Sequence, residues 1–285
     1  MPTTAEALDR LAALPDVPEA VQAARAACTA LAWHRTMRRR TAEAAAEAGV
    51  RAARASAALA GARFPVEVFR DVTRGAAAFP DDAAGRTALG VVRASAEIER
   101  LGRTWSKAPG QALARLHTAA SAGLLPDEAL GRPRRAGEPA GDGADLLAPD
   151  GRLIAAVDGA QIGARLAGLT ELLTAPPEAP ALVLAALVLA EVATVRPFVS
   201  GNGVVARALC RAVIVGRGLD PTGVAIWEAG LLAIGPQYPL ALARYAVGGA
   251  DGVAHWLRTF AQALLDGVGE GQAVCDAVLA GRTGA

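Results

Sequence analysis

An uncharged apolar run over residues 179–190 restricts the fold more than any other feature of this chain. Its 12 residues are too few to cross a bilayer, but they are enough to form a buried helix. Pro197 disfavours helical geometry at the residue before it, so we predict that this helix ends near Val195.

The residues that follow predict a tight loop and a second helix. Gly201, Asn202 and Gly203 tolerate positive φ at low cost, which favours a turn. Apolar residues then recur at helical spacing as far as Gly216. The free N–H groups at the start of this second helix would face the loop, so the sequence predicts an anion-binding site there.

Composition limits the class of partner. Among the 29 basic residues only Lys107 is a lysine, and abundant Arg, Ala and Gly are typical of a GC-rich, bacterial genome. The formal net charge is +1, so we expect neither nucleic acid nor a membrane surface as a partner. One basic cluster is interpreted as a solvated helix face, because no aromatic residues are interleaved with its members, Arg35, Arg38, Arg39 and Arg40.

The three cysteines, Cys28, Cys210 and Cys275, are far apart and form no CxxC pair. This spacing indicates neither a disulfide framework nor a zinc site, and it favours a reducing compartment. Charged residues within the first ten positions, such as Glu6 and Asp9, are not typical of a secretory signal. We therefore predict a cytoplasmic protein without a metal site.

Helical patterns cover most of the remaining chain and predict an all-α fold. They include residues 18–49, residues 51–61 and residues 253–265. Residues 131–143 are rich in Gly, Pro and Arg and are predicted to form a surface loop. Residues 146–157 are expected to hold one short strand or a hairpin, around residues 152–157. His117, on a predicted helix, is interpreted as a structural histidine.

Residues 196–207, RPFVSGNGVVAR, resemble the active-site loop of the Fic (Fido-fold) family. That loop reads His-Pro-Phe-x-Asp/Glu-Gly-Asn-Gly-Arg-x-x-Arg and lies between two helices. The matching positions, at the same spacing, are Pro197, Phe198, Gly201, Asn202, Gly203 and Arg207. The resemblance covers about residues 95–268, and it includes a segment that looks like the one before the family's flap and two C-terminal helices.

The resemblance implies a Fic-type helical bundle over residues 95–268. It also implies a helical N-terminal extension over residues 1–94, a C-terminal tail over residues 269–285, and at most a small β-hairpin flap. The usual reaction of the family transfers AMP from ATP to a protein hydroxyl. There the histidine is the general base, the acidic residue holds Mg²⁺, the Gly-Asn-Gly backbone binds phosphates and the arginines clamp them.

This chain departs from the family at three of those positions. Arg196 replaces the histidine, and a guanidinium that stays protonated cannot serve as the base. Ser200 replaces the acidic residue and is a poor ligand for Mg²⁺. Val204 replaces the first arginine. The predicted phosphate-binding residues are Ser200, Gly201, Asn202, Gly203 and Arg207, with Pro197 and Phe198 as structural anchors.

Residues 56–61, SAALAG, resemble an inhibitory helix that many members of the family carry. Its pattern is Ser/Thr-x-x-x-Glu-Gly/Asn, and its glutamate pairs with a motif arginine. Ser56 and Gly61 match, whereas Ala60 stands in place of the glutamate. The segment is either a degenerate inhibitory helix or a chance match in an alanine-rich helix.

Two main functions are compatible with these residues. In the first, the protein is unable to transfer AMP by the usual mechanism, keeps a nucleotide or phosphate pocket for ATP or another nucleotide, and acts by binding a partner. Mg²⁺ is in doubt in this case. In the alternative, a transferase with altered chemistry uses Arg196 for phosphate in place of the metal, and its base is His117, Glu191 or the substrate. A third hypothesis is a purely structural protein. The sequence does not identify the ligand or the protein partner, and it does not decide whether the protein forms a homodimer.

Overall fold

The computed structural model describes residues 3–141, 146–176 and 178–282. Within them the chain is built from α-helices, three short 3₁₀ helices and one β-hairpin. In chain order the elements are α1 (Thr4–Ala12), α2 (Val17–Ala32), η1 (Arg35–Arg38), α3 (Thr41–Leu59), α4 (Val66–Thr73), α5 (Ala83–Leu101), α6 (Thr104–Lys107), α7 (Pro109–Ser121), η2 (Asp127–Ala129), β1 (Leu146–Leu147), β2 (Leu153–Ile154), η3 (Gly159–Gln161), α8 (Ile162–Leu173), α9 (Ala181–Val195), α10 (Asn202–Gly216), α11 (Trp227–Ala233), α12 (Gln237–Val247) and α13 (Ala250–Leu279).

Helix α9 lies at the centre of the bundle. Its side chains are buried almost without interruption, and it contacts α8, α10, α12 and α13 together with the N-terminal helices α1 and α2. The indole N–H of Trp256 on α13 donates to the carbonyl oxygen of Ala186 at 2.8 Å. A helix that is apolar on all sides is stable only when it is surrounded. None of the described helices combines the length and the apolar content needed to cross a membrane.

The β-hairpin is small, as expected for this all-α fold, and of the two possibilities that the sequence left open for residues 146–157, one short strand or a hairpin, the structure contains the hairpin. Strands β1 and β2 pair antiparallel, with Leu146 opposite Ile154 and Leu147 opposite Leu153. The turn between them is closed by Gly151, which has φ of 80°. Strand β1 has only two residues, too few for an alternating pattern, so the sequence offered one clear strand, near residues 152–157, and no clear pair.

The helix predicted over residues 18–49 is interrupted, and this prediction was wrong. Helix α2 ends at Ala32, and α3 begins only at Thr41. Between them Thr36 is buried, and its hydroxyl donates to the carbonyl oxygen of Cys275 on α13 at 2.8 Å. The imidazole of His34 accepts the N–H of Thr36 at 3.3 Å. Contacts with a helix far along the chain produce this break, and local patterns do not reveal such contacts.

Helix α13 continues to Leu279, beyond the end at Leu265 that the sequence predicts. The glycines in this part of the helix permit close packing and do not end it. A Cβ at Gly267 would lie 2.4 Å from the backbone of Trp227, and one at Gly271 would lie 2.5 Å from the carbonyl oxygen of Val224. The carbonyl of Gly267 also accepts the N–H of Ile226 at 2.9 Å.

The close approach at Gly267 predicts a strong position-dependent effect of alanine. Gly267→Ala should lower the free energy of unfolding by about 1–3 kcal/mol, because the added methyl overlaps with backbone atoms that cannot move freely. Gly269→Ala on the same helix is the control, since no atom lies within 4 Å of its added Cβ. It should raise stability by up to about 1 kcal/mol through helix propensity. Urea unfolding of both variants measures the difference, and equal effects would contradict the packing argument.

Candidate functional site

The loop that resembles the family motif connects α9 to α10. Helix α9 is followed by Arg196, whose N–H donates to the carbonyl of Val192 at 3.1 Å and whose backbone is left-handed at φ 50° and ψ 64°. Gly201, at φ 80°, precedes the first residue of α10, Asn202. A left-handed arginine costs roughly 1–3 kcal/mol, so surrounding contacts must hold this corner in place.

The side chain of Arg196 ties the loop to the hairpin. It is 7% exposed, and its Nη2 donates to the carbonyl oxygen of Ile154 on β2 at 2.9 Å. A guanidinium keeps its proton at all physiological pH values. The position that the resemblance gives to a general base therefore carries a permanent cation with a structural contact.

Asn202 fixes the shape of the loop. Its side-chain oxygen accepts the N–H of Phe198 at 2.8 Å, and its side-chain nitrogen donates to the carbonyl of Phe198, also at 2.8 Å. Both residues are buried. A pair of buried hydrogen bonds that satisfies both backbone groups of one residue holds the loop in one conformation. Asn202 thus supports the loop from inside.

His117 on α7 lies directly under the loop. Its ring stacks on Phe198 with centroids 4.0 Å apart and planes 6° apart. Its Nδ1 accepts the N–H of Gly131 at 2.9 Å, so the neutral ring carries its proton on Nε2, which donates to the carbonyl of Ser200 at 3.1 Å. Burial lowers the pKa of His117 to about 4. The neutral ring connects α7 to the loop and to Gly131, which agrees with the interpretation of His117 as a structural histidine.

The segment after Gly131 runs beside the loop and contributes a residue that sequence reasoning missed. The N–H groups of Arg134 and Gly141 donate to the carbonyls of Pro197 and Val199, both at 2.7 Å. The guanidinium of Arg134 is buried and donates to the carbonyl oxygens of Arg196, Glu138 and Val157 at 2.7–2.8 Å.

Residues 131–141 are irregular, as predicted for this segment, but Arg134 is not a surface residue. Residues 142 and 143 of the predicted surface loop lie outside the described residues. The burial of Arg134 could not be predicted from the sequence. Most arginines of this arginine-rich chain are exposed, and the sequence around Arg134 does not distinguish it from them.

Arg207, the second arginine of the motif, is held by α3. It is buried, its Nε donates to the hydroxyl of Ser56 at 2.8 Å, and its Nη2 donates to the Ser56 carbonyl at 2.9 Å. Helix α3 ends shortly after, where Gly61 adopts φ of 86°. The structure therefore brings residues 56–61 against the motif helix, at the arginine that the family resemblance assigns to phosphate.

Glu191, on α9 one turn before the loop, is also engaged. It accepts hydrogen bonds from the guanidinium of Arg165 at 2.7–3.0 Å and from the hydroxyl of Tyr245 at 2.6 Å. Burial, followed by the charge of Glu191, raises the pKa of Tyr245 well above its usual value. Glu191, Arg165 and Tyr245 thus form a hydrogen-bonded cluster beside α9.

The accessible part of the loop consists mainly of backbone. Ser200, Gly201 and Gly203 are partly exposed, while the neighbouring Asn202 and Val204 are buried. A Cβ at Gly201 would lie 2.5 Å from the hydroxyl oxygen of Ser121, so the tight turn requires glycine there. The first N–H groups of α10 can stabilise an anion at this point.

Metal ligands of the usual kind are not gathered in this region. Over residues 3–141, 146–176 and 178–282, no three His, Cys, Asp or Glu side chains are placed so that they could hold a metal ion. At the position that the resemblance gives to the acidic ligand, Ser200 offers a neutral hydroxyl, which is a weak partner for Mg²⁺.

The depressed pKa of His117 predicts loss of stability in mild acid. The unfolded chain takes up a proton near pH 6.5, whereas the folded protein does so only near pH 4. The free energy of unfolding should therefore fall by up to about 3 kcal/mol between these pH values. His117→Asn is the control, because asparagine does not titrate. Urea unfolding from pH 7 to pH 4 should show a smaller slope for the variant, and identical slopes would contradict the assignment.

Comparisons with known proteins agree with this geometry. Residues 111–214 match the model of the Fic/DOC family. Among solved structures, the chain is similar to a Fic family protein from Desulfovibrio desulfuricans G20, with 19% identity, a TM-score of 0.67, and coverage of 93% of this chain and 76% of that chain. It is also similar to a Fic-1 fragment from C. elegans, with 14% identity, a TM-score of 0.62, and coverage of 93% and 73%.

A sequence search of the curated proteins finds no match. The resemblance drawn from the motif is confirmed by the family model, which includes α9, the loop and most of α10, and by the structural neighbours. Residues 111–214 thus match the Fic/DOC family, and the chain has the fold of Fic family proteins.

Proposed function

We propose that this Fic-fold protein binds a phosphate-bearing ligand, of which ATP is one candidate, at the loop around Ser200–Gly203 and does not transfer AMP by the usual mechanism of the family. The observation that carries the proposal is the contact of Arg196. The residue in the general-base position is a permanent cation that donates to the Ile154 carbonyl. A group that cannot give up its proton cannot accept one from a substrate hydroxyl.

The side chains nearby do not replace the missing base. His117 is fully buried, and both of its ring nitrogens are hydrogen-bonded to the backbone of Gly131 and Ser200. Glu191 is engaged by Arg165 and Tyr245. The alternative, a transferase with altered chemistry, needs a proton acceptor that reaches the substrate, and these contacts make both protein candidates unfavourable.

Phosphate binding would rest on backbone N–H groups. Val204 occupies the position at which the family motif has one of its two phosphate-binding arginines. The second, Arg207, donates hydrogen bonds to Ser56. The start of α10 still presents its first N–H groups beside the partly exposed Gly203. Because a neutral Ser200 replaces the acidic ligand, we expect the bound phosphate to depend little on Mg²⁺.

The position of α3 supports a further part of this proposal, that residues 56–61 are a degenerate inhibitory helix. In the family pattern a glutamate of that helix pairs with a motif arginine. In this chain Ser56, from the same segment, satisfies Arg207, while Ala60 provides no side-chain acceptor. A chance match would not be expected to place the segment against this arginine.

The first test separates binding from transfer. Incubation with radioactive ATP and Mg²⁺ should leave no label on this protein or on added proteins. ATP should still raise its melting temperature, and removal of Mg²⁺ should change that shift little. In the Ser200→Asp variant the shift should become dependent on Mg²⁺, because a carboxylate repels phosphate unless a cation lies between them. Strong labelling of any protein by the wild-type chain would overturn the proposal.

The second test restores the missing groups. The triple change Arg196→His, Ser200→Asp and Val204→Arg should produce weak self-labelling from ATP. The double change Ser200→Asp and Val204→Arg keeps Arg196 and should label at least about 100-fold less, since a general base typically contributes about 10²–10⁴-fold. Equal labelling by the two variants would show that Arg196 is not what prevents transfer.

A further inference from the structure

A cavity of about 1040 Å³ lies between α3, α5 and α10. The residues of α3 that line it run from 42 to 56, which is about 20 Å along the helix axis. Ala46 near one end is exposed, while Ala53, Val91 and Ala208 are buried. The cavity is therefore elongated, open to solvent on one side and closed within the bundle on the other.

Gly49 is an exposed residue on the open side of the cavity. It lies in the middle of α3, lines the cavity, and would have no atom within 4 Å of an added Cβ. Glycine inside a helix costs about 1 kcal/mol relative to alanine. A larger side chain at this position would therefore extend into the open side of the cavity without a clash at its Cβ.

The walls favour an apolar ligand without charge. They consist largely of Ala and Val side chains from the three helices. Four of the charged groups of the wall are paired with each other, Glu47 with Arg70 and Arg211 with Glu228. Glu47 also pairs with Arg51.

The hydroxyl groups of the wall are engaged in the same way. Those of Thr73 and Ser95 donate to backbone carbonyls of their own helices. Exposed residues of both signs, Glu43, Glu99 and Arg74, also line the cavity, so they select no charged head group.

We propose that this cavity binds an elongated, uncharged apolar molecule, such as a long-chain alcohol or another hydrocarbon chain with a neutral polar end. Its volume is at the upper end of the range for small-molecule pockets. The ligand would lie along α3, with its polar end toward the exposed residues. The Ser56–Arg207 contact also lines the cavity, so the occupant would lie against the side chain that connects α3 to the motif helix.

The test uses the neutral dye Nile red, whose fluorescence rises in apolar surroundings, with 1-decanol as competitor. The wild-type chain should bind the dye saturably, and 1-decanol should displace it more effectively than decanoate or decylamine. Gly49→Leu should weaken dye binding at least tenfold while the melting temperature stays the same or rises, because leucine projects into the cavity along α3 and favours the helix.

Gly168→Leu is the matched control. Gly168 lies inside α8, is exposed, and also has no atom within 4 Å of an added Cβ. This variant should bind the dye as the wild-type chain does. Ala46→Phe, at an exposed position of the cavity wall, gives the same comparison if Gly49→Leu does not fold. The proposal is overturned if the wild-type chain shows no saturable binding, if the filled and control variants bind equally, or if a charged competitor displaces the dye best.

Discussion

The neutral imidazole of His117 is the contact on which the geometry of the loop depends. It accepts a backbone N–H from Gly131, donates to the Ser200 carbonyl and supports the ring of Phe198. One side chain thus connects α7, the irregular segment after Gly131 and the loop. Because every one of these partners is uncharged, the ring is stable only without a second proton, and burial lowers its pKa accordingly.

Buried arginines serve the structure of this site in a similar way. Arg134 and Arg196 donate to backbone carbonyls of the loop, of the hairpin and of the segment between them, and Arg207 donates to Ser56. A buried guanidinium must find acceptors for its N–H groups, and loop carbonyls without helix or strand partners need donors. The two requirements are met together here. Arginine, which the motif resemblance associates with phosphate, holds backbone segments in place here.

The sequence predicted the parts of the fold that local patterns encode. Helix α9 could be predicted because its apolar run has no exposed face, and the loop because Pro197 and the Gly-Asn-Gly turn restrict the backbone. The break near Thr36, the continuation of α13 past Gly267 and the carbonyl contacts of Arg134 depend on partners distant in the chain. Side-chain periodicity carries no information about such partners. The residues of the loop could be predicted because their spacing matched a known motif. The contacts that support the loop, such as those of Arg134, could not be predicted.

The contact between Ser56 and Arg207 restricts how the loop can hold an anion. If Arg207 turned toward a phosphate, it would give up two hydrogen bonds, and the buried hydroxyl of Ser56 would lose its donor, although the Ser56 carbonyl would keep the N–H of Ala60 at 3.2 Å. Leaving a buried polar group without a partner costs about 1–3 kcal/mol. The phosphate would have to repay that cost, whereas binding at the backbone N–H groups that begin α10 leaves the Ser56–Arg207 contact intact. We therefore expect a phosphate to bind mainly through the backbone, with Nη1 of Arg207 beside Gly203, in an arrangement that leaves α3 attached to the motif helix whether or not the loop is occupied.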